Sequence, residues 1–297
     1  MSDLRGWTPS RPSYGVVGWP VSHSLSPAMQ RAALASLGVE ADYLAFEVRP
    51  EELEAALDAM GKAGVLGLNL TVPHKALAAG LVDELSEEAR LAGAANTVVF
   101  GDGGRRVGHN TDARGFARAI REEFRMSLAE LKVMILGAGG AGRAIALQVA
   151  RERAERIVVA NRTVERAEAL AREIAPIFLD EKLVGQAARL RAVPLDPAAL
   201  AGEVDGVDLI VNATTVGLRP GDPSPLPAHL LRPHHLVYDT IYNPARTPLL
   251  EAASEAGARG ANGLSMLLHQ GALSLELWLG RPAPVEVMRR ALRRAAG

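Results

Sequence analysis

Lys75 and Asp112 are the residues of this 297-residue chain whose types and settings most directly suggest chemistry. Each ends a short polar segment inside apolar sequence, Asn69-Leu70-Thr71-Val72-Pro73-His74-Lys75 and Gly108-His109-Asn110-Thr111-Asp112. A glycine-rich run, Gly137-Ala138-Gly139-Gly140-Ala141-Gly142, begins 25 residues after Asp112. An ammonium and a carboxylate upstream of such a loop point to proton transfer coupled to hydride transfer. Taken alone, Lys75 also reads as an ordinary helix-start lysine and Asp112 as a helix N-cap.

Gly137, Gly139 and Gly142 have G-x-G-x-x-G spacing between an apolar strand and a helix. The first glycine permits the tight turn, the second lets the backbone approach a pyrophosphate, and the third lets helix and strand close together. The end of the next strand selects the dinucleotide. An NAD site places an acid there to accept from the ribose 2′-hydroxyl. Here the positions are Asn161-Arg162-Thr163, with Arg166 one helical turn beyond. Two guanidiniums suit a 2′-phosphate, which Arg matches with paired donors. The expected cofactor is therefore NADP, the alternative being two solvated arginines offset by Glu165 and Glu168. Ser24 and Ser26 form another candidate site. In an extended segment they would point the same way as two hydroxyl donors for a small carboxylate; an N-cap serine beside a loop serine is the equal alternative.

These residues need elements to hold them. Tyr14–Gly18, Tyr43–Val48 and Val65–Leu70 read as strands. Ser26 is expected as N-cap, and Pro27 as first residue, of a helix running to Gly38. Pro50 opens a second helix. Strands and helices so alternated favour a mostly parallel sheet. Thr97–Phe100 and Arg105–Val107, joined through Gly101–Gly104, read as a hairpin. Helical sequence follows from Asp112 to about Phe124. A second α/β unit starts at Leu131, with strands over 132–136, 156–160, 191–194, 208–212 and 236–239. Residues 263–281 and 284–294 are helical, with no strand between them.

Hydrophobic residues make up 48% and charged residues 23%, ordinary globular usage, and the net charge of -1 gives no electrostatic reason for nucleic acid or an anionic membrane. Zero cysteines exclude disulfides and thiolate chemistry. Met1 to Pro20 lacks a signal-peptide apolar region, and no charge-free apolar run is long enough to span a bilayer. A cytoplasmic protein with a small-molecule substrate is expected. No metal site is expected, because the seven histidines show no ligand spacing. His74 and His109 read as structural. Arg289, Arg290, Arg293 and Arg294 complement the dipole of the last helix.

Nearly the whole chain resembles the shikimate dehydrogenase family. The resemblance is carried by Gly18 to Pro27, Asn69 to Lys75, Gly93 to Thr97, Gly108 to Asp112, Gly137 to Gly142 and Asn161 to Arg166. Asn212 to Gly217, Asp239 to Pro244 and Gly263 to Gln270 continue it. Met29-Gln30 departs from the family's usual His-Asn, and the position of Thr240 varies within the family.

The resemblance implies a two-domain α/β fold: an N-terminal substrate domain, a Rossmann-type NADP-binding domain, and C-terminal helices returning to the first domain. The expected ranges are 1–111 with 263–297, and 112–262. It implies NADPH-dependent reduction of 3-dehydroshikimate to shikimate, in the route to chorismate and the aromatic amino acids. Ser24, Ser26 and Tyr242 would hold the substrate carboxylate; Asn69, Thr71, Asn96 and Gln270 would bind ring hydroxyls or orient neighbours; Lys75 and Asp112 would straddle the C3 oxygen. Asn212, Thr214, Thr240, Gly263 and Met266 would line the nicotinamide side, with closure of the cleft on ligand binding. A quinate dehydrogenase is the nearest rival, and a non-catalytic NADP sensor belongs to a different class. The sequence leaves oligomeric state open, a homodimer being one outcome.

Overall fold

The computed structural model describes residues 9–179 and 186–297. The first part of the N-terminal segment read against a signal peptide, residues 1–8, lies outside them. The chain divides into two compact units. One takes the described residues up to Gly115 together with Leu267–Gly297, and the other takes Phe116–Met266.

The first unit contains β1 (Ser13–Gly18), α1 (Ser26–Ser36), β2 (Asp42–Glu47), α2 (Leu53–Lys62), β3 (Val65–Leu70), α3 (His74–Ala79), β4 (Glu84–Leu85), α4 (Glu87–Ala92), β5 (Thr97–Phe100) and β6 (Arg106–His109). Its sheet order is β2-β1-β3-β5-β6-β4. β1, β2 and β3 run parallel, whereas β3–β5 and β5–β6 are antiparallel, so the expected hairpin forms an arm of the sheet. One face carries an apolar core in which Leu53, Ala56, Leu57 and Met60 of α2 meet Val17, Phe46, Leu68 and Leu70. The spacing of those α2 residues is the stripe of an amphipathic helix. In-register pairing puts Tyr14 beside Tyr43, and Val16 beside Asn69. With the two-residue period of a strand, these four share one face.

The chain enters the second unit within α5 (Asp112–Phe124). It continues through β7 (Lys132–Leu136), α6 (Gly140–Arg151), β8 (Arg156–Asn161), α7 (Val164–Phe178), β9 (Leu190–Pro194), α8 (Pro197–Val204), β10 (Leu209–Asn212), β11 (Leu236–Asp239), α9 (Pro248–Glu255) and β12 (Arg259–Ala261). It leaves within α10 (Leu264–Leu279), and α11 (Val285–Ala296) ends the chain. All pairings here are parallel, in the order β12-β11-β10-β7-β8-β9. Numbered within the unit this is 3-2-1-4-5-6 read from the β9 edge, the Rossmann order. The inner strands β7, β8, β10 and β11 are nearly continuous apolar runs because both faces are covered. α7 buries Ala167, Leu170, Ile174 and Phe178 along one stripe. Truncating Ile174 to Ala would cost about 2–5 kcal/mol.

One local expectation is corrected. Ser26 is not the N-cap of α1 but its first residue; the cap position is Leu25, which lies in the helical region and has no capping side chain. The segment turns rather than running extended, with Ser24 N–H donating to Val21 O at 3.0 Å. Ser24 Oγ then accepts the Ser26 N–H at 3.3 Å, so the neighbouring hydroxyl serves the helix start. Strands β4 and β12, two and three residues long, add to the elements expected from sequence.

Candidate active site

Lys75 is the second residue of α3, reached through a turn in which His74 N–H donates to Thr71 O at 2.8 Å. Its Nζ donates to Asp112 Oδ2 at 2.6 Å, with the lysine side chain 29% exposed and the aspartate 6%. The ammonium is thus open to a ligand on one side and held by a buried carboxylate on the other. Asp112 starts α5, and its backbone N–H donates to Asn110 Oδ1 at 3.1 Å. Asn110 is anchored in turn by Nδ2 donating to Ala94 O at 3.0 Å.

Asn96 fixes the second carboxylate oxygen. Its Nδ2 donates to Asp112 Oδ1 at 2.9 Å, to Thr111 Oγ1 at 2.9 Å and to Gln270 Oε1 at 3.3 Å. Its Oδ1 accepts from Thr111 N–H at 2.8 Å and from the hydroxyls of Thr97 and Thr111 at 3.1 and 3.2 Å. Asn69, on β3, is wired similarly. Tyr43 donates its hydroxyl to Asn69 Oδ1 at 2.7 Å, and Asn69 Nδ2 donates to Ser274 Oγ at 2.9 Å and to Thr97 Oγ1 at 3.2 Å. Burial without such partners would cost each amide group about 1–3 kcal/mol, so this web is closely satisfied.

Lys75, Asp112, Asn69, Asn96 and Gln270 are therefore joined by one hydrogen-bonded network. Thr71 packs its methyl against Gly18 at the end of β1, at the head of the turn that leads to Lys75. Ser24 is half-buried and Ser26 buried at the start of α1. Tyr43, Thr97, Thr111 and Ser274 carry the network but do not stand out as site residues in the sequence. For Ser274 a signal exists: it lies four residues after Gln270, hence on the same helix face. His74 is fully buried and its Nε2 bonds Val48 O at 2.9 Å, with burial lowering its pKa. His109 is also lowered by burial, against an opposing pull from Glu88 and Glu84.

The second unit holds the nucleotide loop. Gly137 has φ +106°, a conformation that favours glycine, and donates its N–H to Ala160 O at 2.7 Å. A Cβ on Gly142 would overlap the Gly137 carbonyl oxygen, whereas Gly139 and Gly140 face open space. The loop is thus pressed tight at one end and accessible at the other, and α6 starts at Gly140 without a side-chain cap. That leaves its first N–H donors for an anion, so this cradle fits a dinucleotide pyrophosphate. Ala138 N–H is held by Asn161 Oδ1 at 3.0 Å, and Asn161 Nδ2 reaches Thr163 O at 2.8 Å.

Arg162, Thr163 and Arg166 are exposed at the end of β8 and the start of α7. Glu168, one of the two acids weighed as an offset, pairs with Arg172 at 3.8 Å instead. Two exposed guanidiniums at this strand end fit a 2′-phosphate. Asn212 ends β10 in register with Leu136 of β7, so it borders the loop at the point where strand order reverses. Its Oδ1 accepts from Thr214 N–H and Oγ1 at 3.0 and 2.7 Å, while Thr240 Oγ1 donates to Asn212 O at 2.9 Å. Buried Asp239 accepts from Asn212 Nδ2 at 3.1 Å, Ile241 N–H at 3.0 Å and Thr247 Oγ1 at 2.7 Å; desolvation pushes its pKa up. Gly263 lies directly against the Thr240 backbone, and Met266 N–H donates to Tyr238 Oη at 3.1 Å. Tyr242 follows in the same loop, its phenol pKa raised by burial. Among the described residues no group of three or more acidic, His or Cys side chains could hold a metal ion.

A Rossmann sheet with an open glycine loop in one unit, and a lysine–aspartate pair in a polar web in the other, is the make-up of a two-domain NADP-dependent oxidoreductase. Comparison with known proteins gives the family. Residues 16–98 match the model of the shikimate dehydrogenase substrate binding domain, 118–188 that of shikimate / quinate 5-dehydrogenase, and 263–293 that of the shikimate 5'-dehydrogenase C-terminal domain. A shikimate dehydrogenase (NADP(+)) of Methanopyrus kandleri is 48% identical over 280 residues, covering 94% of this chain and 93% of the relative. A crystal structure of a shikimate dehydrogenase in complex with NADP+ superposes with a TM-score of 0.87 at 38% identity, covering 98% of both chains. The Thermus thermophilus shikimate 5-dehydrogenase in complex with NADP(H) and shikimate gives 0.84 at 40% identity, covering 96% of this chain and 100% of that one. This chain belongs to the shikimate dehydrogenase family.

Proposed function

We propose that this protein catalyses the reversible NADPH-dependent reduction of 3-dehydroshikimate to shikimate. The first unit serves as substrate domain and the second as NADP domain. The observation that carries the reading is the Lys75–Asp112 pair at 2.6 Å, fixed by Asn96 in a chain of this family.

NADPH, when bound, supplies the hydride, and Gly137–Gly142 with Arg162 and Arg166 would hold it. Reduction of a ring ketone builds negative charge on the carbonyl oxygen. Lys75 meets that charge with an ammonium and gives up the proton; in the reverse direction it receives it. Asp112 holds the lysine rotamer and keeps its charge balanced while the proton moves. A positioned acid–base group of this kind contributes about 10²–10⁴-fold. Asn96 holds Asp112 Oδ1, so the carboxylate cannot rotate away from the lysine. Ser24 and Ser26 at the start of α1 supply donors for the substrate carboxylate; Asn69, Thr71 and Gln270 order the ring hydroxyls or their surroundings. The family model's joint shikimate / quinate description keeps quinate as a second substrate to test.

Initial rates with shikimate and with quinate, each with NADP+ and NAD+, test the proposal. Shikimate with NADP+ should give the highest kcat/KM. Quinate with NAD+ as the best pair would replace it, and no turnover with any pair would favour a sensor. Sedimentation of the same preparation reads whether the active form is a homodimer, the one assembly the sequence reading named. Among the described residues no helix is long and apolar enough to cross a membrane, and residence in the cytoplasm is part of the proposal.

A further inference from the structure

The residues proposed to bind substrate in the first unit sit on separate elements: Ser26 on α1, Asn69 on β3 and Gln270 on α10. A directional chain of hydrogen bonds links Asn69 to the backbone of Gln270 through Ser274 and is fed from β2 by Tyr43, two residues with no assigned role. Tyr43 Oη donates to Asn69 Oδ1 at 2.7 Å, Asn69 Nδ2 donates to Ser274 Oγ at 2.9 Å, and Ser274 Oγ donates to Gln270 O at 3.0 Å.

The direction matters because the Asn69 amide has two inequivalent ends. With the Tyr43 proton committed to Oδ1, the NH₂ must face Ser274 and Thr97; reversing the amide would set donor against donor at the first link. Tyr43 cannot move to accommodate such a reversal. It is fully buried on β2, with its ring 6.2 Å from Trp278 of α10, and its backbone carbonyl accepts Arg31 Nε–H of α1 at 2.8 Å. Trp278 itself stacks on Tyr14 at 5.1 Å and donates Nε1–H to Val98 O at 3.0 Å. Ser274 is also fully buried, and besides the chain it meets the hydroxyl of Thr97 at 2.8 Å.

We infer that Tyr43 and Ser274 are positioning residues for the substrate: their hydroxyls lock Asn69 and the α10 turn bearing Gln270 into one rigid array. The inference rests on the substrate reading above but adds residues that reading does not use. A rigid array matters because a ligand with several polar groups gains only from donors already aligned to all of them.

Tyr43→Phe and Ser274→Ala each remove one hydroxyl and keep the packing. Each should raise the KM for shikimate about tenfold, the scale of one buried hydrogen bond whose partner is left unpaired, with the KM for NADP+ unchanged. Because both act through Asn69, the double variant should lose less than the product of the single losses. A purely structural role would instead lower the melting temperature and leave the shikimate KM within twofold of wild type, and that result overturns the inference. Fully multiplicative losses in the double variant overturn it as well. If Tyr43→Phe does not fold, Ser274→Ala alone carries the test through the shikimate KM set against the melting temperature. A wild type without shikimate turnover would defeat the functional reading itself, and the two failures are distinguishable.

Discussion

Asn96→Asp is nearly isosteric, yet it should disable the site through one atom. Asn96 Nδ2 lies 2.9 Å from Asp112 Oδ1 and donates to it. The substitution puts an acceptor oxygen where that donor stood and keeps the oxygen that accepts Thr111 N–H at 2.8 Å. Losing a hydrogen bond to a charged group costs about 1.5–3 kcal/mol. Two carboxylates about 4 Å apart repel by about 4 kcal/mol at an effective dielectric of about 20. The site can relieve this by taking up a proton, but the pair then shares a single negative charge, which leaves less of it on Asp112 to hold Lys75. A loss of about 3 kcal/mol in transition-state stabilisation corresponds to about 100-fold in kcat/KM. Steady-state oxidation of shikimate at neutral pH should show at least that drop, with the KM for NADP+ unchanged and the melting transition still cooperative. A folded variant with kcat/KM within threefold of wild type would refute the claim that Asn96 controls Asp112.

Two further outcomes follow from the geometry. Replacing Arg162 and Arg166 together by Ala should weaken NADP+ about 10–100-fold, the worth of charge-assisted contacts to a phosphate, and leave the KM for NAD+ within twofold; equal losses for both cofactors would contradict the assignment. Buried His74 and His235 and half-buried His109 have pKa values lowered below the usual 6.5, so the native state binds fewer protons than the unfolded chain. Their contribution to stability is present above about pH 6.5 and is lost as pH falls, so the melting temperature should drop between pH 7 and 5, and His74→Gln should flatten that slope. A melting temperature that rises over the same interval would show the sign to be wrong.

The chemistry is more legible in the sequence than its wiring. Lys75, Asp112, the glycine loop and Arg162 advertise themselves by type and neighbours, and the strands β7 and β8 by unbroken apolar runs. Tyr43 does not, because an aromatic residue in an alternating strand reads as core until its hydroxyl is seen 2.7 Å from Asn69. Ser274 is similarly masked within an apolar helix. The Ser24–Ser26 segment departs from the extended run expected of it because one residue, Leu25, adopts helical angles, and nothing in its type requires that. Strands β4 and β12 are too short for a two-residue period to register; their edges are set by pairing to β6 and β11.

The central claim is that Lys75, held by Asp112, carries charge and proton at the reacting oxygen. Its most direct measurement is kcat for shikimate oxidation by Lys75→Ala with saturating NADP+. The account predicts a fall of about 10²–10⁴-fold with NADP+ affinity intact. A kcat within a few-fold of wild type would contradict it.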